Sequence, residues 1–136
     1  MEQLIELLIN IVGIENLTAD PAQLSPYNQG TFPNKHNNII VVMPLNNEEI
    51  IRVLNEIRIY NKAQTLPENK TAIYTVSSGK NWGYSAQEPS FDNAILLKLS
   101  RIKKIESYDH KQGTVTISAG ITQQELYEFL QEQGGK

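Results

Sequence analysis

The stretch IIVVMPLNNEEIIRVLNEI, residues 39–57, constrains the fold more than any other part of the chain. Ile39 to Met43 is aliphatic, mostly β-branched and without alternation, the pattern of a strand covered on both faces in a parallel or mixed sheet. Pro44 stops it, because proline has no amide to give to a ladder. Asn46 then stands where a helix needs an N-cap. Glu49 three residues later completes a capping box, and Leu45 and Ile50 are spaced for a hydrophobic staple. Ile50, Val53, Leu54 and Ile57 recur on one side, with Glu48, Arg52, Asn55 and Glu56 on the other, which predicts an amphipathic helix to about Tyr60. A polar link containing Pro67 leads to a second strand, AIYTV, Ala72 to Val76. Strand, helix, strand is the order of a parallel crossover unit.

Other segments attach to this unit. Leu4, Ile5, Leu8, Ile11 and Val12 form one helical stripe near the N-terminus, broken as a hydrophobic run by Glu6 and Asn10. That run is too short to span a bilayer and lacks the basic lead-in of a signal peptide, so a packing helix is expected. Residues 13–38 carry three prolines and two glycines without periodicity, an irregular connection. AILLKL, Ala94 to Leu99, reads as a third strand in which Lys98 has to lie near an edge or reach solvent. IESY and TVTIS flank DHKQG as an antiparallel hairpin. Thr122 and Glu125 form a second capping box, Ile121 and Leu126 a second staple, and Gly134 a C-terminal stop.

Composition narrows the chemistry. With 136 residues, one core is expected, burying roughly 65 to 70% of the unfolded surface. There are no cysteines, which removes disulfides, thiolate metal sites and thiol catalysis. The two histidines, His36 and His110, are far apart in sequence. A net charge of −3 argues against nucleic acid, whose affinity comes mostly from phosphate neutralisation. The small basic cluster of Lys98, Arg101, Lys103 and Lys104 reads as a solvated face. No targeting signal is visible, so a cytoplasmic location is expected, with no membrane partner.

The feature with most chemical content is VSSGKNWGYS, Val76 to Ser85, directly after the second strand. From Ser77 to Phe91 about fifteen residues show no structural period, a length that in compact domains is usually functional or disordered, and Trp82, Tyr84 and Phe91 are expensive to leave in water, which argues against disorder. Gly79 and Gly83 permit positive φ or close approach of a ligand, and successive amides around them can converge on an anion. A diphosphate would find three or four donors among Ser77, Ser78, Gly79, Asn81 and Tyr84, with Lys80 adding a point charge. A glycine turn whose aromatics plug the core is the competing reading. The spacing is neither that of the P-loop nor the GxGxxG fingerprint.

TVSSGKNWGYS followed by EP resembles the pyrophosphate-binding loop of the FAD-linked oxidases of the vanillyl-alcohol oxidase and p-cresol methylhydroxylase type. In that family an S-x-G-[RK]-N-x-G-Y-G pattern follows a strand. IIVVMPLNNEEIIRVLNEI is similar to the family's opening strand, proline and helix. ILLKLSRIKKI resembles its next strand, and TVTISAGITQQELYEFL its Val-x-x-Gly-Val-Thr segment and following helix. Roughly residues 25–133 are covered, in order. Ser85 stands where a third glycine is frequent, and Lys98 where an acidic residue is common.

The resemblance implies an α+β first FAD subdomain over residues 1–136, incomplete as an FAD-binding domain: a small parallel βαβ unit, an antiparallel hairpin and flanking helices. FAD is the implied cofactor, its diphosphate held by a loop at residues 77–91. Carried over by position, the cofactor-binding candidates are Val76, Ser77, Ser78, Gly79, Lys80, Asn81, Trp82, Gly83, Tyr84 and Ser85. Gly120 is a further candidate, with a plain turn glycine as the alternative. No residue here is an implied catalytic group or metal ligand, and neither histidine matches a position for covalent flavin attachment. A second FAD subdomain and a substrate domain, encoded further on or separately, are the implied partners. Two readings follow: part of an FAD-dependent oxidoreductase, or a stand-alone binding module that kept the fold without the chemistry.

Overall fold

The computed structural model describes residues 1–24, 27, 39–79, 89 and 91–134. Among these residues, three α-helices, α1 (Glu2–Val12), α2 (Asn47–Ala63) and α3 (Gln123–Glu132), accompany six strands: β1 (Leu17–Thr18), β2 (Ile40–Val42), β3 (Ala72–Val76), β4 (Ala94–Lys98), β5 (Ile105–Asp109) and β6 (Thr114–Ile117). The first four strands form one mixed sheet in the order β1-β2-β4-β3, and β5 and β6 form a separate antiparallel pair. The α+β architecture is the expected one.

The crossover unit is present, but its two strands are not neighbours. β2 and β3, joined by α2, both run parallel to β4, which lies between them with Ile95 opposite both Ile40 and Ile73. This insertion explains the runs without alternation. Ile40, Val42, Ile95 and Leu97 face α1 and α2, where they pack with Leu4, Leu8, Val12, Val53 and Ile57. Val41 and Leu96 point the other way, onto Leu24, Ile39 and Val76 with Tyr27 and Tyr74 at their margin. A strand between two covered faces needs apolar residues at every position. β3, at the sheet edge, leaves Ile73 37% exposed.

Each of these buried aliphatic side chains contributes about 1.5–3 kcal/mol relative to exposure, so the α1 stripe is what docks that helix. α2 begins where expected: Asn46 Oδ1 accepts the Glu49 amide at 2.9 Å. The reciprocal half of the capping box differs, since Glu49 Oε2 takes the Leu45 amide at 2.8 Å. The chain arriving from Pro44 presents that donor one residue upstream of the cap. α2 also runs on to Ala63 rather than ending at Tyr60. Its inner face is narrower than expected, because Val53 and Ile57 are buried while Leu54 is 39% exposed.

Two further expectations change. The connection after α1 contains β1, a two-residue strand antiparallel to β2, too short to show a period. Lys98 is not on an edge strand: it ends the central β4, and reaches the rim of the sheet rather than its side. α3 keeps its full capping box, with the Glu125 amide on Thr122 Oγ1 and the Thr122 amide on Glu125 Oε2. Gly134, at φ 75°, follows its last turn as a C-terminal stop. Among the described residues no helix is long and apolar enough to cross a membrane.

Candidate functional site

The carboxyl ends of β2, β3 and β4 lie along one edge of the sheet, because the three strands are parallel. In open α/β sheets ligands bind outside this edge. β3 delivers Val76, then Ser77, Ser78 and Gly79, to it. Val76 is buried, and its carbonyl accepts the Leu99 amide at 2.9 Å, so the exit of β3 is stitched to the exit of β4. Ser77, Ser78 and Gly79 are half-buried, and Gly79 has φ 74°. The chain bends at residues 77–79, and glycine adopts that left-handed conformation without a Cβ penalty. Two hydroxyls and a left-handed glycine at a strand outlet suit the start of an anion-binding nest. Lys80, Asn81, Trp82, Gly83, Tyr84 and Ser85 lie outside the described residues.

The length of this loop has a second cause. β3 and β4 are adjacent and parallel, with Ala72 opposite Ala94, so the connection must return past all of β3, about 16 Å at 3.3 Å per residue. Parallel neighbours need a dozen or more residues for that. Length alone therefore says less about function than it did as a sequence feature. The returning end is pinned: Pro89 is buried, Asn93 Nδ2 donates to the Glu68 carbonyl at 2.9 Å, and the Asn93 carbonyl accepts the Ala72 amide at 3.3 Å.

Gly120 belongs to the same edge, through backbone packing. Its amide donates to the Ile102 carbonyl at 3.0 Å. A Cβ there would stand 2.7 Å from Ile102 O and closer still to Leu99 O, inside any real contact. The close approach that requires glycine is thus to the turn leaving β4, as in the plain-turn alternative. Through Leu99 the structure brings Gly120 near Val76, 44 positions earlier in the chain.

The basic cluster is divided rather than forming one solvated face. Lys98 is half-buried and donates to Tyr27 Oη at 3.3 Å, its ammonium 5.0 Å from the ring centroid. Arg101 Nη1 donates to the Met43 carbonyl at 2.8 Å, tying the outlet of β4 to that of β2. Lys103 pairs with Glu125, and Lys104 is exposed. That ion pair is the first cause holding the Glu125 carboxyl down at about 2, followed by its bonds from the Thr122 amide and hydroxyl. Beside these residues runs a groove of about 760 Å³ between the start of α2 and the outlet of β4, bordered by Asn46, Ile50, Leu99, Arg101 and Ser118. The sequence held one sign of the Lys98–Tyr27 contact, a lysine inside an apolar strand, but none of its partner 71 residues away. His110 lies on the hairpin with Tyr108, and among the described residues no three metal-binding side chains converge.

The family model described as FAD binding domain matches residues 39–136. The chain is 25% identical over 136 residues to 1'-carboxy-chondrochloren decarboxylase of Chondromyces crocatus, covering 100% of this chain and 24% of that protein. It is 25% identical over 122 residues to the flavoprotein subunit of 4-cresol dehydrogenase (hydroxylating) of Pseudomonas putida, covering 90% and 22%. The structure of p-cresol methylhydroxylase with substrate bound superposes with a TM-score of 0.81 at 24% identity, over 98% of this chain and 25% of that one. The 4-ethylphenol oxidase of Gulosibacter chungangensis, in its isoeugenol complex, gives 0.80 at 22% identity, over 99% and 25%. The structural likenesses concern the fold. The chain spans about a quarter of the length of these relatives.

Proposed function

This chain belongs to the FAD binding domain family, and on that premise we propose that its loop at residues 77–91 holds the diphosphate of FAD for a flavin-dependent oxidoreductase of the FAD-linked oxidase type. The observation that carries the reading is the half-buried Ser77–Ser78–Gly79 start of the loop, at the carboxyl edge of parallel strands, with Gly79 at φ 74°. These residues fit the group: hydroxyls and turned backbone amides recognise phosphate oxygens without a net positive protein. In the proposed arrangement the Ser77 and Ser78 hydroxyls and the Gly79 amide orient the diphosphate. By the family resemblance, Lys80, Asn81, Trp82, Gly83, Tyr84 and Ser85 are assigned to the same cofactor. When bound, FAD supplies hydride acceptance, which protein groups serve by binding and orientation. Residues 1–136 then act as a first FAD subdomain, with the ring and the substrate met by further chain or a partner, in a cytoplasmic enzyme.

The test is titration of the purified chain with ADP and FAD, followed by calorimetry and by retention of yellow colour on gel filtration. Weak binding of ADP and FAD at high concentration is expected, with little flavin retained. Gly79→Val forces a β-branched residue into the left-handed region, and should abolish binding while leaving the β-sheet signal in circular dichroism. Unchanged binding by that variant would mean that the loop is only a core turn.

A further inference from the structure

One cation at the diphosphate edge has no role in the cradle described above. Lys98 is in register with Val76, so it sits beside the point where the chain turns into Ser77. Strand alternation places its stem on the sheet face of Leu96 and Val76, opposite the face covered by α1 and α2. On that face its ammonium meets Tyr27, by a 3.3 Å hydrogen bond to the hydroxyl and at 5.0 Å from the ring centroid. A phenol accepts a hydrogen bond and offers a π face, but it brings no counter-charge. Among the described residues Lys103 and Glu125 form an ion pair, and no carboxylate pairs with Lys98. A half-buried ammonium held by a neutral partner keeps its charge available, and partial desolvation strengthens its attraction for an anion. The Tyr27 contact also restrains a flexible four-carbon stem, so less freedom is lost when a ligand arrives.

We propose that Lys98, oriented by Tyr27, is a binding cation for the ligand's diphosphate, meeting it from the sheet face opposite the helices while Ser77–Gly79 meets it from the edge. This rests on the diphosphate reading of the loop. Tyr27 is a positioning residue in it, acting through Lys98.

The test titrates ADP and inorganic pyrophosphate into wild type, Lys98→Met, Lys98→Arg and Tyr27→Phe by calorimetry, each at several salt concentrations. Lys98→Met should weaken both ligands about tenfold, the loss of one charge-assisted contact, and should flatten the fall of affinity with salt. Lys98→Arg should retain affinity and salt dependence, and Tyr27→Phe should lose roughly two- to threefold, since the ring contact survives. Thermal melts accompany each titration. If Lys98→Met is unfolded, Lys98→Gln is the second neutral variant read in its place. Wild-type affinity and salt dependence in a folded neutral variant would overturn the role of Lys98 and leave the loop assignment standing. A wild-type chain that binds neither ligand would overturn the loop assignment and this proposal together.

Discussion

Gly120→Ala separates two explanations for one glycine. The added methyl would sit 2.7 Å from Ile102 O and closer to Leu99 O. Both are backbone carbonyls, so neither can swing aside as a side-chain tip would. Relief requires the turn at residues 99–102 to move away from residues 118–120, which breaks the 3.0 Å bond from the Gly120 amide to Ile102. Overpacking of this kind costs about 1–3 kcal/mol, and the hydrogen bond adds about 1 kcal/mol. The φ of Gly120 is not in the left-handed region, so alanine returns roughly 0.4–1 kcal/mol by restricting the unfolded chain. The net destabilisation is about 1–3.5 kcal/mol, which for a chain of this size lowers the melting temperature by roughly 4–14 °C. Urea unfolding followed by circular dichroism measures it, with Gly113→Ala as the reference. Gly113 has φ 65° but open space around its Cβ position, so alanine there meets only the left-handed penalty, about 1–2 kcal/mol. ADP affinity of folded Gly120→Ala should match wild type. Unchanged stability together with lost ADP binding would refute the packing argument and return Gly120 to the cofactor.

The Glu125 carboxyl titrates at about 2 rather than 4.5. A depressed folded value means that its stabilisation is present above about pH 4.5 and is lost as pH falls through about 2. Fluorescence of the chain between these values should report acid loosening of α3, and Glu125→Gln should remove that transition. Asn61 bonds both the amide and the carbonyl of Thr71 at 2.8 Å. Asn61→Ala leaves them unpaired where Thr71 is buried, an expected loss of about 2 kcal/mol in urea unfolding. Leu96→Ala, in the middle of β4 and fully buried, should cost about 2–5 kcal/mol in the same measurement. A smaller loss than Ile73→Ala at the exposed edge would contradict the strand order.

The elements legible in the sequence are those whose cause is local. Asn46 and Thr122 cap helices because a side-chain oxygen three residues from an orphan amide needs no tertiary partner. Ala72–Val76 and the hairpin strands were bounded by turn chemistry close at hand. The candidate site was legible to the same depth: Gly79 announced a turn after a strand, and its φ of 74° bears that out. Less legible was anything with two causes. The loop after Val76 is long because a parallel neighbour demands a return path, as well as for any ligand. Lys98, Arg101 and Lys103 look alike in sequence, yet their partners are a tyrosine, a carbonyl and a carboxylate.

By itself the sequence determined the helices, the main strands and the position of the glycine loop, through spacings of two to four residues that act within one element. Only the tertiary structure decided that β4 enters between β2 and β3, that Gly120 is pressed against the turn beyond it, and that Lys98 meets Tyr27 across the chain. Those outcomes depend on which distant segments share the core. Local propensity carries no record of that choice, because it is made by the joint burial of surfaces that no single segment owns.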